Sequence, residues 1–204
     1  MTDLKQYAPA TQRNREPILE VLLRVLPPSG NILEIASGTG EHCLFFAPAF
    51  SPRKWIPSDA NPTARNSIEA WRKESLIDNI NSPLNIDATS LSWAVEEQEL
   101  DITTMVNINM IHISPWQACL GLMEGAKRIL PSGGILYLYG PYKQGGKHTA
   151  ISNESFDQSL RLQNTEWGVR NLEDVIKVAE ENGLIFKEKV EMPANNLSVI
   201  FEKE

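Results

Sequence analysis

The sequence predicts an α/β protein: an open, mostly parallel sheet with helices on both faces and an antiparallel hairpin at one edge. Three observations carry that prediction. Short apolar runs alternate with segments of helical periodicity through most of the chain, the pattern of parallel strands joined by crossover helices. The run from Ile102 to Asn109 is almost continuously apolar or β-branched, as a central strand buried on both faces requires. The last two apolar runs are separated only by Met192-Pro-Ala-Asn-Asn196, too short for a parallel crossover, so they pair antiparallel.

Taken in order, 14–26 reads as a helix with Ile18, Leu22 and Val25 on one face. Pro17 falls in its first turn, where a missing N–H does little harm, and Pro27-Pro28-Ser29-Gly30 stops it. A strand over 31–36 leads through a glycine loop to a helix over 41–50, and a strand over 54–58 ends at Asp59. Asn61 followed by Pro62 is an N-cap with proline at the first helical position, opening a helix to 73. Strands follow over 84–86 and 102–109. Ser114 with Gln117 three residues on forms a capping box for a helix reaching 130, and Pro131-Ser-Gly-Gly134 turns the chain into a strand over 135–139. Asn171 with Asp174 caps a helix that Gly183 ends. Strands over 184–191 and 197–202 bring the count to seven.

The 204 residues carry 19 Lys and Arg against 26 Asp and Glu, and 42% are hydrophobic, enough for one good core and a single domain over 1–204. The net charge of -7 disfavours nucleic acid held on a broad basic surface, so a small-molecule partner is expected. Cys43 and Cys119 lie far apart without clustered histidines, which argues against a disulfide framework or a zinc module; both are expected to be buried neutral thiols, and no metal site is expected. The residues up to Tyr7 show no basic-then-apolar leader pattern. No apolar run approaches the roughly 20 residues that span a bilayer. A cytoplasmic protein without a membrane partner is therefore expected.

Open sheets bind ligands beyond the carboxyl ends of their strands, where the strand order reverses. The first strand and loop read Asn31-Ile-Leu-Glu34-Ile-Ala36-Ser37-Gly38-Thr39-Gly40-Glu41-His42. Small residues at 36, 37, 38 and 40 let a ligand approach the backbone. Asp59 follows about 20 residues later at the end of the next strand, where a carboxylate can accept both hydroxyls of a ribose. The alternative is a glycine turn that merely joins strand to helix, with Asp59 capping its own turn. A dinucleotide fingerprint fits poorly, because its last small position falls on Cys43 in one register and on Glu41 in the other.

Glu34 in the strand, ahead of the small-residue loop, resembles the acidic start of the Asp/Glu-x-Gly-x-Gly-x-Gly signature of class I S-adenosylmethionine-dependent methyltransferases, with Ala36 in place of the first glycine. The resemblance implies that S-adenosylmethionine is the cofactor, that the fold is the Rossmann-like one of those enzymes, and that Glu34 orients the loop and the methionine ammonium. It further implies that Asp87 and Ala88 meet the adenine. Asn107-Ile-Asn109-Met-Ile-His112 lies where those enzymes place their fourth-strand motif, near the methyl group. A narrower resemblance, to the methyltransferase-like 26 family, a domain of unknown function, rests on several motifs. These are Tyr7-Ala-Pro-Ala-Thr-Gln-Arg13-Asn14-Arg-Glu-Pro17-Ile, Ala36-Ser-Gly-Thr-Gly-Glu-His42, Gly140-Pro-Tyr-Lys, Ser152-Asn153-x-x-Phe156-Asp157-x-x-Leu160-Arg161, Glu166-Trp167-Gly168-x-Arg170 and Pro193-Ala-Asn195-Asn196. It implies a methyltransferase fold and no particular acceptor.

The candidate cofactor contacts are thus Arg13, Glu34, Ala36, Ser37, Gly38, Gly40, Asp59, Asp87, Ala88 and Asn109. Arg13, expected just before the first helix in a segment over 1–13 that covers the pocket, offers a guanidinium fork to the cofactor carboxylate; its alternative is a solvated arginine. Asn109 either bonds the cofactor or acceptor from a strand end or simply forms a turn. His112 is a candidate general base just past the fourth strand, against a histidine bonded to nearby backbone. His148 and Tyr142 lie in a glycine-containing loop after the fifth sheet strand, read either as a lid or as a disordered surface loop. Phe156, Leu160, Leu162 and Trp167 form a substrate wall or ordinary packing, and Glu96, Glu97 and Glu99 a solvated face. Methyl transfer from a sulfonium needs alignment more than acid–base machinery, so the lack of a catalytic triad does not count against it. The favoured reading is a methyltransferase acting on a small-molecule acceptor. The rivals are a catalytically silent cofactor- or partner-binding module on the same fold and an NAD-dependent oxidoreductase.

Overall fold

The computed structural model describes residues 4–204; of the amino-terminal segment read for a leader and a pocket cover, 1–3 lie outside that range. The strands are β1 (Asn31–Ile35), β2 (Trp55–Pro57), β3 (Ile102–Ile108), β4 (Ile135–Gly140), a short pair β5 (Lys143–Gln144) and β6 (Lys147–His148), then β7 (Leu184–Met192) and β8 (Asn196–Lys203). The main sheet has six strands in the order β2-β1-β3-β4-β8-β7. β1 runs parallel to β2 and β3, β3 parallel to β4, and β8 antiparallel to both β4 and β7. The parallel sheet and its antiparallel carboxyl-terminal edge are as expected.

The seventh strand is not formed, and Pro83 gives the reason. The segment expected as a strand over 84–86 belongs to a stretch lying along β2 with parallel bridges only at Trp55–Ile80 and Ser58–Leu84. Asn81 N–H donates to Trp55 O and Leu84 N–H to Pro57 O, but between them Pro83 has no N–H to continue the ladder. The edge position is occupied, without a regular strand.

The helices are α1 (Pro9–Val25), α2 (Glu41–Phe46), α3 (Pro62–Glu74), α4 (Trp116–Ile129), α5 (Ile151–Gln163) and α6 (Leu172–Glu181). The first begins five residues earlier than the expected 14, with Pro9 at its first position, so Pro17 sits inside the helix and Arg13 in it rather than before it. α2 gives way to a 3-10 turn at Ala47, where Pro48 interrupts the α-helical ladder. Asn61 caps α3 as expected, its Oδ1 accepting from Thr63 N–H at 2.9 Å. The capping box at Ser114 is absent: its hydroxyl donates to Met110 O at 2.6 Å, and Pro115 takes the N-cap position. Asn171 occupies the N-cap of α6, but its Oδ1 accepts from Gly146 N–H at 3.0 Å instead of from the helix.

Alternation along the strands divides the core in two. Ile32, Val106, Tyr137 and Ile200 face α1, α2 and α3 through Ile18, Leu22, Phe46 and Ile68. Leu33, Met105, Leu136 and Phe201 face α4 and α6 through Leu122, Val175 and Ala179. Gly121 lets the segment after β2 press onto α4, since a Cβ there would meet Ala88 O at 1.9 Å. Both cysteines are free and buried. Glu96 is less solvated than expected, accepting from Arg128 and from Trp93 N–H. Among the described residues no helix is long and apolar enough to cross a membrane.

Candidate functional site

The strand order reverses at β1, which has β2 on one side and β3 on the other, so a crevice opens beyond the carboxyl ends of β1 and β3. Two adjoining cavities occupy it, sharing Ala36, Met110 and Ile113. The first, of 390 Å³, lies towards β2 and is bordered by Asp59, Ile86, Asp87, Ala88 and Thr89. The second, of 400 Å³, lies towards α1 and is bordered by Glu34, Ser37, Gly38, His42, Asn109 and Asn14, with an apolar wall that includes Ile108 and Ala10.

The loop between them is held in left-handed backbone. Ala36, Gly38 and Gly40 have φ of 58°, 58° and 90°. For Ala36 this conformation costs about 1–2 kcal/mol, a local strain at the point where the chain leaves β1. Gly40 needs to be glycine for space as well, since a Cβ would lie 3.0 Å from Ile68 Cα. At Gly38 a Cβ would meet nothing within 4 Å, so the backbone borders open space where a ligand can lie against it. Ser37 ties the loop to β2, its N–H donating to Ser58 O at 2.8 Å and its Oγ accepting from Ser58 N–H at 3.1 Å.

Asp59 stands at the end of β2 with its carboxylate between two backbone amides. Oδ2 accepts from Gly38 N–H at 3.0 Å and Oδ1 from Asn61 N–H at 2.8 Å. The carboxylate is thus oriented and keeps lone pairs towards the first cavity. Asp87 is exposed on the same cavity, its Oδ1 accepting from Thr89 N–H and Oγ, and Ala88 is buried beside it.

Glu34 is the buried acid of the site, 1% exposed. Burial pushes its carboxyl up to about 7, against the opposing hydrogen bonds from the Trp55 indole, at 2.9 Å, and the Ser37 hydroxyl. Asn109, with φ 65°, is locked by its N–H to Tyr139 O and borders the second cavity. His42, the second residue of α2, is not among the candidates the sequence singles out. Its Nε2 lies 2.8 Å from Asn14 Oδ1, and its ring stacks on Phe46 at 5.3 Å. Burial, then Arg15, lowers its pKa to about 4, so it is neutral.

The remaining candidates lie elsewhere. Arg13 is exposed on α1 and borders neither cavity; its neighbour Asn14 points inward instead. His112 is fully buried behind the site, its Nδ1 accepting from Arg170 N–H at 3.2 Å, and burial, then Arg170, lowers its pKa to about 3. Tyr142 is fully buried against that ring at 4.9 Å, and burial pushes its phenol far up. Neither borders either cavity. His148 belongs to the β5–β6 hairpin rather than to a disordered loop, and its Nε2 lies 3.2 Å from Asp157 Oδ2. Asp157 also holds Lys143 and Arg161 and accepts from Val169 N–H at 2.7 Å, so the hairpin is pinned to α5. Of the proposed wall, Leu160 is buried in the core and Leu162 is 89% exposed.

The segment before β1 does border the crevice. Ala8, Ala10, Thr11 and Asn14 line the second cavity. The signal that would have found Asn14 is Pro9 read as the helix start, which places 11, 14 and 18 on one inward face.

A family model described as "Protein of unknown function (DUF938)" matches residues 5–203. Among solved structures the chain is similar to an O-methyltransferase family 2 protein from Planctomyces limnophilus in complex with apigenin. The TM-score is 0.77 and the identity 16%, over 96% of this chain and 58% of that one. It is similar to an O-methyltransferase family protein from Burkholderia thailandensis, with TM-score 0.77 and 12% identity over 96% and 57%. It is also similar to human N-acetylserotonin methyltransferase in complex with SAM, with TM-score 0.70 and 13% identity over 93% and 54%. The chain spans little more than half the length of these proteins. At such identities the likeness establishes the fold alone, the one these methyltransferases share.

Proposed function

We propose that this chain, which belongs to the DUF938 family of proteins of unknown function, is an S-adenosylmethionine-dependent methyltransferase acting on a small-molecule acceptor. One observation carries the reading: at the point where strand order reverses, the Asp59 carboxylate is fixed on the amide of Gly38, beside open space over that glycine. Asp59 would take the ribose hydroxyls, Asp87 and the Ala88 backbone the adenine, and the loop from Ala36 to Gly40 with Glu34 the methionine end.

The fit is electrostatic as well as steric. Among the described residues, Glu34, Asp59 and Asp87 border the two cavities and no lysine or arginine does, which suits a ligand carrying a sulfonium and an ammonium. When bound, the cofactor supplies an already activated methyl group. The chain's share is to fix the two reactants in line and to exclude water, with Ile108, Met110 and Ile113 as an apolar wall on the acceptor side. A cytoplasmic location is part of the same reading.

Calorimetry with S-adenosylhomocysteine tests it. The wild type binds, and Asp59→Ala weakens binding by at least about tenfold, the worth of one or two hydrogen bonds to a charged group. No binding by the wild type, or equal binding by the variant, contradicts the proposal; tight NAD binding in the same assay speaks for an oxidoreductase. One observation favours a second reading, a catalytically silent cofactor-binding module: His112, Tyr142 and His148 all lie outside the crevice. Labelled cofactor incubated with the protein and a metabolite extract separates the two, since the silent module binds and transfers nothing.

A further inference from the structure

Among the described residues that line the second cavity are two hydrogen-bond acceptors and no lysine or arginine, Arg15 standing outside the lining near His42. Asn14 fixes the first. Its Oδ1 faces His42 Nε2 at 2.8 Å. An amide oxygen only accepts, so the hydrogen of the neutral imidazole sits on Nε2 and Nδ1 is left with its lone pair. Among the described residues no hydrogen bond occupies Nδ1. The stack on Phe46 holds the ring plane. The second acceptor is the Glu34 carboxyl, which retains lone pairs beyond those used by Trp55 and Ser37.

We propose that the Asn14–His42 pair, with Glu34, is a subsite for the primary ammonium group of the cofactor's amino-acid end, His42 accepting one of its N–H bonds through Nδ1. The inference rests on the cofactor reading above and deepens it. An ammonium has three donors and no acceptor, and a neutral imidazole nitrogen and a carboxylate are complementary to it. A carboxylate ligand at the same place would face Glu34 with no lysine or arginine among the lining residues to offset it. The amino-terminal helix therefore contributes through Asn14, which sets the imidazole tautomer, and not through a guanidinium at Arg13. Asn14 acts as a positioning residue.

The test compares two nucleosides by calorimetry: S-adenosylhomocysteine, which carries the amino-acid end, and 5′-methylthioadenosine, which lacks it. His42→Phe keeps the stack on Phe46 and removes both nitrogens; Asn14→Ala leaves the imidazole and removes its orienting oxygen. Thermal melts establish that each variant is folded, and either one alone suffices. Affinity for S-adenosylhomocysteine is expected to fall about tenfold in His42→Phe and by a smaller factor in Asn14→Ala, with 5′-methylthioadenosine unchanged within about twofold. Equal losses for both nucleosides, or no loss for either, overturn the subsite. So does a wild type that binds both nucleosides equally tightly, which leaves the cofactor reading intact. A wild type that binds neither nucleoside overturns that reading and this one with it.

Discussion

The carboxylate of Asp59 accepts the backbone N–H of Gly38 at 3.0 Å across a sequence separation of 21 residues. This bond joins the end of β2 to the loop after β1, so the group that would hold a ribose and the backbone over which the rest of the ligand would lie move together. Asp59→Asn retains one oxygen for Gly38 and gives up the charge. Its affinity for S-adenosylhomocysteine should fall between wild type and Asp59→Ala, with a melting temperature near that of wild type. A value equal to wild type by calorimetry would assign the whole effect of the alanine variant to loop disorder.

Glu34→Gln should stabilise the fold at pH 8 while weakening nucleoside binding. The Glu34 carboxyl is pushed up to about 7 from an ordinary 4.5, chiefly by burial. The folded chain therefore holds a proton that the unfolded chain has lost, and stability falls as pH rises from about 4.5 to about 7, then levels off. The cost is on the order of 3 kcal/mol above pH 7. Glutamine keeps an acceptor for the Trp55 indole without the charge. Urea midpoints that rise at pH 8 and coincide at pH 4.5 are the expected result; a lower midpoint at pH 8 would contradict it.

Gly121→Ala should destabilise the protein by about 2–4 kcal/mol and disturb the first cavity. The added carbon would lie 1.9 Å from Ala88 O, a backbone atom on the segment that borders that cavity. Either α4 or the segment must shift. Chemical denaturation reads the stability, and a loss of S-adenosylhomocysteine affinity in the folded variant reads the shift.

Asp157→Asn should release the β5–β6 hairpin. Burial pushes the Asp157 carboxyl up, but the Lys143 ammonium, the Val169 amide and Arg161 more than reverse this and hold it below its ordinary value. Its contribution is therefore present above the usual carboxylate range and is lost as pH falls through its lowered value. The substitution leaves Lys143 without its charged partner and should cost about 2–4 kcal/mol. Faster amide hydrogen exchange at Lys143, whose N–H donates to Arg170 O, is the accompanying sign.

The hydrogen bonds that tether the amino-terminal segment to α3 give a further test. Gln6 N–H donates to Ser67 Oγ at 2.8 Å, and that hydroxyl donates to Thr39 O at 2.8 Å in the glycine loop. Ser67→Ala cuts the relay, and limited proteolysis should then cleave near residue 6 more readily than in wild type. Protection by S-adenosylhomocysteine should persist but weaken.

Local sequence determined most of the order of strands and helices, though neither α5 nor the β5–β6 pair, together with the cap at Asn61, the left-handed loop at Gly38 and Gly40, and Asp59 beside it, because each depends on periodicity or backbone chemistry within a few residues. Tertiary structure decided what those rules do not contain. Pro83 removes one N–H from a ladder whose partner, Pro57 with its neighbours, lies far back in the chain, and the sheet stops at six strands. His112 resembles an available base until Tyr142 and Arg170 close over it from later in the sequence, and burial then strips it of its charge. Asn14 and His42 come together across 28 residues only because α1 packs on α2. Hydrophobic spacing names the face of a helix that is buried; which polar atoms meet there is set by the elements packed against it.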